Sequence, residues 1–151
     1  MEARVHSKGL PQYQRILYAT DGSPSARAAG GHAVFLAQRA QAQLIVLYVA
    51  PNSITRRLSF LLRGVLREES RIAGRAVAEI LELAEASGVA AMSTSETGRR
   101  NEVIARAAHR FDVDLIVVAA PGGEDLSNIL GQNRASAAPL WAARPVCVIM
   151  C

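Results

Sequence analysis

The stretch Leu44-Ile-Val-Leu-Tyr-Val49 is apolar at every position, and it decides the fold. A half-exposed strand alternates apolar and polar residues, whereas a strand covered on both faces is apolar throughout. A second run, Asp114-Leu-Ile-Val-Val-Ala-Ala120, is apolar after its first residue and is followed by Pro121-Gly-Gly. Two such runs predict a parallel sheet with helices on both faces.

Strand and helix patterns alternate along the rest of the chain. Shorter strands are predicted at residues 15–20, 89–96 and 146–150. Helices are predicted after Ser23-Pro24, over residues 54–87, over about twelve residues after Gly98, and over residues 136–143. This order indicates an α/β fold: an open, five-stranded, mostly parallel sheet with helices on both faces. The last strand is expected at a sheet edge, because the sequence ends there.

The first predicted helix has small residues on one face. Ser23 and Pro24 supply a hydroxyl cap and a proline at the first helical position, an order typical of helix starts. The buried face is predicted to consist of Ala26, Ala29, Ala33, Leu36, Ala37 and Ala40. Together with Gly30 and Gly31, these small residues predict a close approach of the helix to the sheet.

Length and composition favour one domain. The chain has 151 residues and a mass of 16.1 kDa, and 50% of its residues are hydrophobic. We predict a flexible lead at residues 1–14 and a single domain at residues 15–151. The longest run without a charged residue, residues 40–55, contains polar residues and a proline, so no membrane helix is expected. The amino terminus lacks the apolar core of a secretory signal, and a cytoplasmic protein is expected.

A stripe of arginines marks the second predicted helix, at Arg63, Arg67, Arg71 and Arg75, while the net charge of the chain is only +4. One interpretation is a patch that binds anions or nucleic acid. The other is a solvated helix face. The stripe contains no aromatic side chain that could stack on a base, so we favour the solvated face and expect no nucleic-acid partner.

No pattern in the sequence predicts catalysis. His6, His32 and His109 have no neighbouring residues at the spacing of a catalytic triad or a metal site. Cys147 and Cys151 lie four residues apart in a predicted strand, too far to bridge each other. The chain therefore has no disulfide framework, which agrees with a reducing compartment.

Five short motifs have an order and spacing that are specific when taken together. They are Ile16-Leu-Tyr-Ala-Thr-Asp-Gly-Ser23, Leu47-Tyr-Val49, Gly98 with Ile104, Asp114-Leu-Ile-Val-Val118 and Pro145-Val-Cys-Val148. In these motifs the chain resembles the universal stress protein family. The resemblance implies a Rossmann-like domain, similar to the adenine nucleotide alpha hydrolases, that usually forms a homodimer. One branch of that family binds ATP or AMP.

The nucleotide-binding branch holds phosphates on a loop of the form Gly-two residues-Gly-nine residues-Gly-Ser/Thr. Aligned without a gap, this pattern falls on Ala119, Gly122, Gln132 and Asn133, so one of its three glycines remains. Glycine lets a backbone amide approach a phosphate closely. The Gln132 side chain can either occupy that space or donate a hydrogen bond to a phosphate from its own amide. Glu124, Asp125 and Pro139 also oppose tight ATP binding. We therefore expect, at most, weak binding of ATP or AMP.

At the ribose and adenine positions, the chain keeps residues that match the nucleotide-binding branch. The resemblance implies that Ala19, Asp21 and the main chain of Val49 hold the ribose and adenine. Asp21 can instead cap the following turn by accepting amide hydrogen bonds, and both roles are possible at once. Gly122 and Gly123 can likewise form only a tight turn.

These observations predict a regulatory, non-enzymatic domain in the stress response, with a degenerate adenine-nucleotide site and an unknown protein partner. A homodimer is expected through Val146–Met150, because an edge strand exposes backbone groups that a second copy can pair with. The alternative is a dimeric protein-interaction module that binds no nucleotide and uses the arginine stripe or residues 58–66. An ATP pyrophosphatase is disfavoured, because Asp21-Gly-Ser-Pro24 lacks the Ser-Gly-Gly start of those enzymes.

Overall fold

The computed structural model of the protein describes residues 9–50, 63–120 and 144–150. The predicted helix at residues 136–143 and the first part of the predicted second helix lie outside these ranges. In chain order, the elements are β1 (Arg15–Thr20), α1 (Pro24–Ala40), β2 (Gln43–Ala50), α2 (Arg63–Ala86), β3 (Ala91–Thr97), α3 (Arg100–Arg110), β4 (Leu115–Ala120) and β5 (Val146–Met150).

The five strands form one sheet in the order β3-β2-β1-β4-β5, and all neighbouring pairs are parallel. The predicted α/β fold is therefore confirmed, and β5 lies at an edge as expected. The chain builds outward from β1 to β2 and β3, then returns to place β4 on the other side of β1. The strand order reverses between β1 and β4, and ligands bind to such sheets beside this reversal, at the carboxyl ends of the strands.

Both faces of the sheet are covered, as the uninterrupted apolar runs predict. On one face, Ile16, Tyr18, Leu44 and Val46 pack with small residues of α1 and with Ile80 of α2. On the other face, Leu17, Ile45 and Leu47 pack with α3. The face of α3 that packs on the sheet includes Val103, Ile104, Ala107 and Ala108, which are fully buried.

The start of α1 confirms the prediction from Ser23 and Pro24. The Ser23 hydroxyl accepts a hydrogen bond from the Ala26 amide at 3.3 Å, and Pro24 is the first helical residue. The two glycines of α1 differ in their surroundings. A Cβ at Gly30 would lie 2.2 Å from Cδ1 of Ile80, whereas one at Gly31 would meet nothing within 4 Å.

The prediction that both glycines allow a close approach of α1 to the sheet is therefore wrong for Gly31. Gly30 mainly allows α2 to approach α1, because the atom nearest to its missing Cβ belongs to Ile80, whereas Cε1 of Tyr18 in the sheet is 3.4 Å away.

The described part of the second predicted helix, α2, continues through Gly74 without a break. The helical spacing of apolar residues in this segment predicts Ile72 and Leu83 on the buried face, but these side chains are 49% and 43% exposed. The buried positions are instead Ala73, Ala76, Ile80 and Ala84. Small residues face inward here because α1 also presents small residues, and this lets the two helices pack closely.

The side chains of Arg71 and Arg75 are exposed on α2, as a solvated face predicts, while those of Arg63 and Arg67 lie outside the described side chains. Cys147 in β5 is a free thiol, and Cys151 lies outside the described residues. A helix of the length and apolarity needed to cross a membrane is absent from the described part of the chain.

Candidate functional site

A cavity of about 300 Å³ opens at the carboxyl ends of β1, β2 and β4. This volume is at the lower end of the range of about 300–1,000 Å³ for ligand sites. The cavity lies beside the reversal of strand order, where parallel sheets bind ligands. Its lining consists of small, hydroxyl and charged residues: Ala19, Thr20, Asp21, Ser23, Ser25, Ala26, Val49, Ala50, Gly98, Arg100 and Ala119.

The inner wall of the cavity is made by small or apolar side chains at the ends of the central strands. Ala19 in β1 and Ala119 in β4 are 3% and 5% exposed, and Val49 in β2 is also buried. Because alanine ends at Cβ, the ends of β1 and β4 leave open space above the sheet. This wall offers an apolar surface and main-chain groups to a ligand.

The turn between β1 and α1 is held by its own side chains. The Thr20 hydroxyl accepts from the Gly22 amide at 3.0 Å, and Oδ1 of Asp21 accepts from the Ser23 amide at 2.9 Å. Gly22 has φ +80°, and a Cβ there would lie 3.3 Å from the Cα of Ala73 in α2. The turn therefore needs glycine at this position, and it presents the exposed Asp21 carboxylate to the cavity.

The capping role considered for Asp21 is confirmed by this hydrogen bond. It does not exclude a second role, since the same side chain lines the cavity.

Arg100 is a residue of the cavity that the sequence analysis missed. It begins α3, directly after β3, yet its Nη2 donates a hydrogen bond to the Ala119 carbonyl of β4 at 3.2 Å. In the sheet, β2 and β1 lie between β3 and β4. The guanidinium thus lies beside the end of β4, the strand after which the phosphate loop is predicted. The pair Arg99-Arg100 after Gly98 is the available signal in the sequence, but its position gives no indication of a contact with β4.

Four of the predicted site residues, Ala19, Asp21, Val49 and Ala119, meet at the cavity. The other three, Gly122, Gln132 and Asn133, lie outside the described residues, as do Glu124, Asp125 and Pro139. The geometry of the phosphate loop therefore stays a prediction.

Within the described ranges, no three or more His, Cys, Asp or Glu side chains are grouped so that they could hold a metal ion. His32 on α1 and His109 on α3 are both exposed.

A sequence model of the universal stress protein family matches residues 12–137 of the chain. The chain belongs to the universal stress protein family. The matched range includes every residue that lines the cavity. A search of curated protein sequences finds no match.

Solved structures of other universal stress proteins resemble this one over nearly their whole length. UspA from Lactobacillus plantarum is 28% identical with a TM-score of 0.70, and the alignment covers 93% of this chain and 99% of that one. A universal stress protein in complex with cAMP is 22% identical with a TM-score of 0.65, covering 91% and 97%. One from Archaeoglobus fulgidus in complex with dAMP is 16% identical with a TM-score of 0.58, covering 91% and 98%. The last two likenesses show the shared fold.

Proposed function

We propose that this universal stress protein is a regulatory domain of the stress response that binds an adenine nucleotide weakly in the cavity. The observation that carries the proposal is the meeting of Asp21, Val49 and Ala119 from three separate strand ends around one cavity. The position of the cavity beside the reversal of strand order adds support. Structures of the same fold with cAMP and with dAMP give the proposal a chemical class of ligand.

The lining suits the parts of a nucleoside. The apolar wall at Ala19, Val49 and Ala119 can pack against a base, and the main chain of Val49 can pair with its polar edge. A carboxylate accepts several hydrogen bonds, and Oδ1 of Asp21 is held in position by the Ser23 amide. The Asp21 carboxylate is therefore proposed to accept hydrogen bonds from ribose hydroxyls.

The binding is proposed to be weak because the phosphate loop has lost glycines. Ala119 and Gln132 stand where the nucleotide-binding branch has glycine. A side chain at either position is proposed to hinder the close approach of a backbone amide to a phosphate. In this proposal the bound nucleotide, or the dimer state, changes a surface that a protein partner recognises. No catalytic step is assigned to the site.

The first test is to denature freshly purified protein and to look for released adenine nucleotide by chromatography. Ligand-free protein is then titrated with AMP, and with ATP and magnesium, by calorimetry. Released nucleotide, or saturable binding with a dissociation constant below about 1 mM, supports the proposal. Protein without nucleotide that gives no heat up to millimolar ligand contradicts it, and leaves the dimeric interaction module.

Substitutions of Asp21 test the role of its carboxylate. Asp21→Asn keeps an oxygen that accepts from the Ser23 amide, whereas Asp21→Ala removes it. We expect Asp21→Asn to weaken adenosine binding about tenfold, because a hydrogen bond to a charged group contributes about 1.5–3 kcal/mol. Asp21→Ala is expected to weaken it at least as much. Unchanged adenosine affinity in both variants would limit Asp21 to its capping role.

We also propose a homodimer through β5. This strand pairs with β4 on one side, and no described strand pairs with its other side. Its sequence is apolar and its last residue, Met150, is 55% exposed. The opposite edge strand, β3, carries Ser93, Ser95 and Glu96 and is less suited to burial. Light scattering is expected to give twice the chain mass of 16.1 kDa; a single-chain mass contradicts the dimer.

A further inference from the structure

We infer that Arg100 binds the phosphate group of an adenosine monophosphate. It would thereby replace part of the phosphate binding that the glycine loop provides in the nucleotide-binding branch. This inference rests on the proposed nucleotide site. It assigns the higher affinity for a nucleotide than for its nucleoside to the phosphate group. Its basis is the guanidinium at the cavity, hydrogen-bonded to the carbonyl of Ala119. Ala119 is the position where the family's glycine pattern begins.

The guanidinium has donors left for an anion. Arginine carries five N–H donors in a planar fork that matches the oxygens of a phosphate. The hydrogen bond from Nη2 to Ala119 uses one of them and orients the fork beside the end of β4. The side chain of Arg100 is exposed, so a ligand in the cavity can reach the remaining donors without unfolding the site.

The charges of the cavity lining favour a ligand that has hydroxyl groups at one end and an anionic group at the other. Among the described residues that line the cavity, Arg100 is the one cation and Asp21 the one anion. A carboxylate accepts hydrogen bonds from hydroxyl groups, whereas a guanidinium binds a phosphate. A nucleoside monophosphate offers both groups, with its ribose hydroxyls toward Asp21 and its phosphate toward Arg100.

The same charges favour one phosphate over three. Each further phosphate adds negative charge, and the described lining provides no second cation to meet it. Beyond Ala119, the sequence continues through Gly122 to the acidic Glu124 and Asp125. ATP is therefore expected to bind no more tightly than AMP, in contrast to a site built on a complete glycine loop.

Calorimetric titration of ligand-free protein with adenosine, AMP, cyclic AMP and ATP tests the inference. The variants are Arg100→Ala, Arg100→Gln and the matched control Arg99→Ala. Arg99 carries the same charge one residue earlier, makes no side-chain capping bond and does not line the cavity. Thermal unfolding of each variant checks that it is folded.

We expect AMP to bind about ten- to a hundredfold more tightly than adenosine, since a charge-assisted hydrogen bond adds this much. Cyclic AMP has one negative charge and lacks the 3′-hydroxyl that AMP can present to Asp21, so it should bind less tightly than AMP. Both Arg100 variants should lose the advantage of AMP and keep the affinity for adenosine, while Arg99→Ala should retain both. Arg100→Gln removes the positive charge but keeps a polar side chain with an amide donor.

Two outcomes overturn the inference. Equal affinities of the wild-type protein for adenosine and AMP show that no phosphate contact exists, although the nucleoside site survives. Equal losses of AMP affinity in the Arg99 and Arg100 variants show a general charge effect instead of a contact. If neither adenosine nor any nucleotide binds, the proposed function itself fails, and the adenosine titration identifies that case.

Discussion

Replacing Gly30 with valine is expected to lower the free energy of unfolding by about 3 kcal/mol, since overpacking a well-packed core costs about 1–3 kcal/mol or more. Even the first added atom, Cβ, would lie 2.2 Å from Cδ1 and 2.9 Å from Cγ1 of Ile80. Both atoms belong to a side chain that is itself buried between α2, α1 and the sheet. The substitution therefore displaces the Ile80 side chain from its position between the two helices.

Gly31→Val is the matched control for this prediction. It makes the same chemical change one residue later in the same helix, where an added Cβ has no neighbour within 4 Å. Its effect should stay within about 0.5 kcal/mol, as for other surface changes. Chemical denaturation of the two variants measures the difference. Equal losses of stability would mean that α1 and α2 do not pack as described.

The packing of α1 against α2 also supports the candidate site. Ala73 of α2 lies against Gly22, in the turn that presents Asp21. An ion pair between Arg27 of α1 and Glu79 of α2 joins the same two helices at the surface. A change in the spacing of these helices is therefore expected to reach the turn as well as the core.

Ser25→Trp is expected to weaken binding of any adenine nucleotide by more than about a hundredfold, because a bulky side chain built against a ligand excludes it. Ser25 is half-buried in the first turn of α1 and lines the cavity. With a volume of about 300 Å³, the cavity has little space for both an indole and a base.

Ala28→Trp is the control for this substitution. Ala28 is exposed on the same helix and does not line the cavity, so the added indole should leave binding unchanged. Calorimetric titration with AMP compares the two variants, and thermal unfolding confirms that both are folded. Full affinity in the Ser25→Trp protein would place the ligand elsewhere.

Much of the fold could be predicted from the sequence, because burial on two faces leaves a direct pattern. The uninterrupted apolar runs of β2 and β4 predicted a parallel sheet, and Ser23 with Pro24 predicted where α1 begins. Helix packing was harder to predict. Ile72 and Leu83 fit the apolar pattern of α2, yet the close approach of α1 turns alanines inward and leaves both side chains exposed.

The site was predictable in part, for a similar reason. Asp21 directly follows one predicted strand and Val49 lies at the end of another. Parallel strands bring their carboxyl ends to the same side of the sheet. Arg100 could not be placed in this way. Arg100 begins α3, the helix that follows β3, yet its guanidinium contacts β4. That contact depends on the strand order and on the path of α3 across the sheet.

The central claim, that the cavity binds an adenine nucleotide, is tested most directly by following backbone amide resonances of the labelled protein during an AMP titration. We expect the largest shifts in the segments that line the cavity, at residues 19–26, 49–50, 98–100 and 119. The comparison region is the groove at the opposite end of the strands, lined by Gln14, Gln43 and Gly88. Shifts confined to that groove, or no shifts with millimolar AMP, would contradict the account.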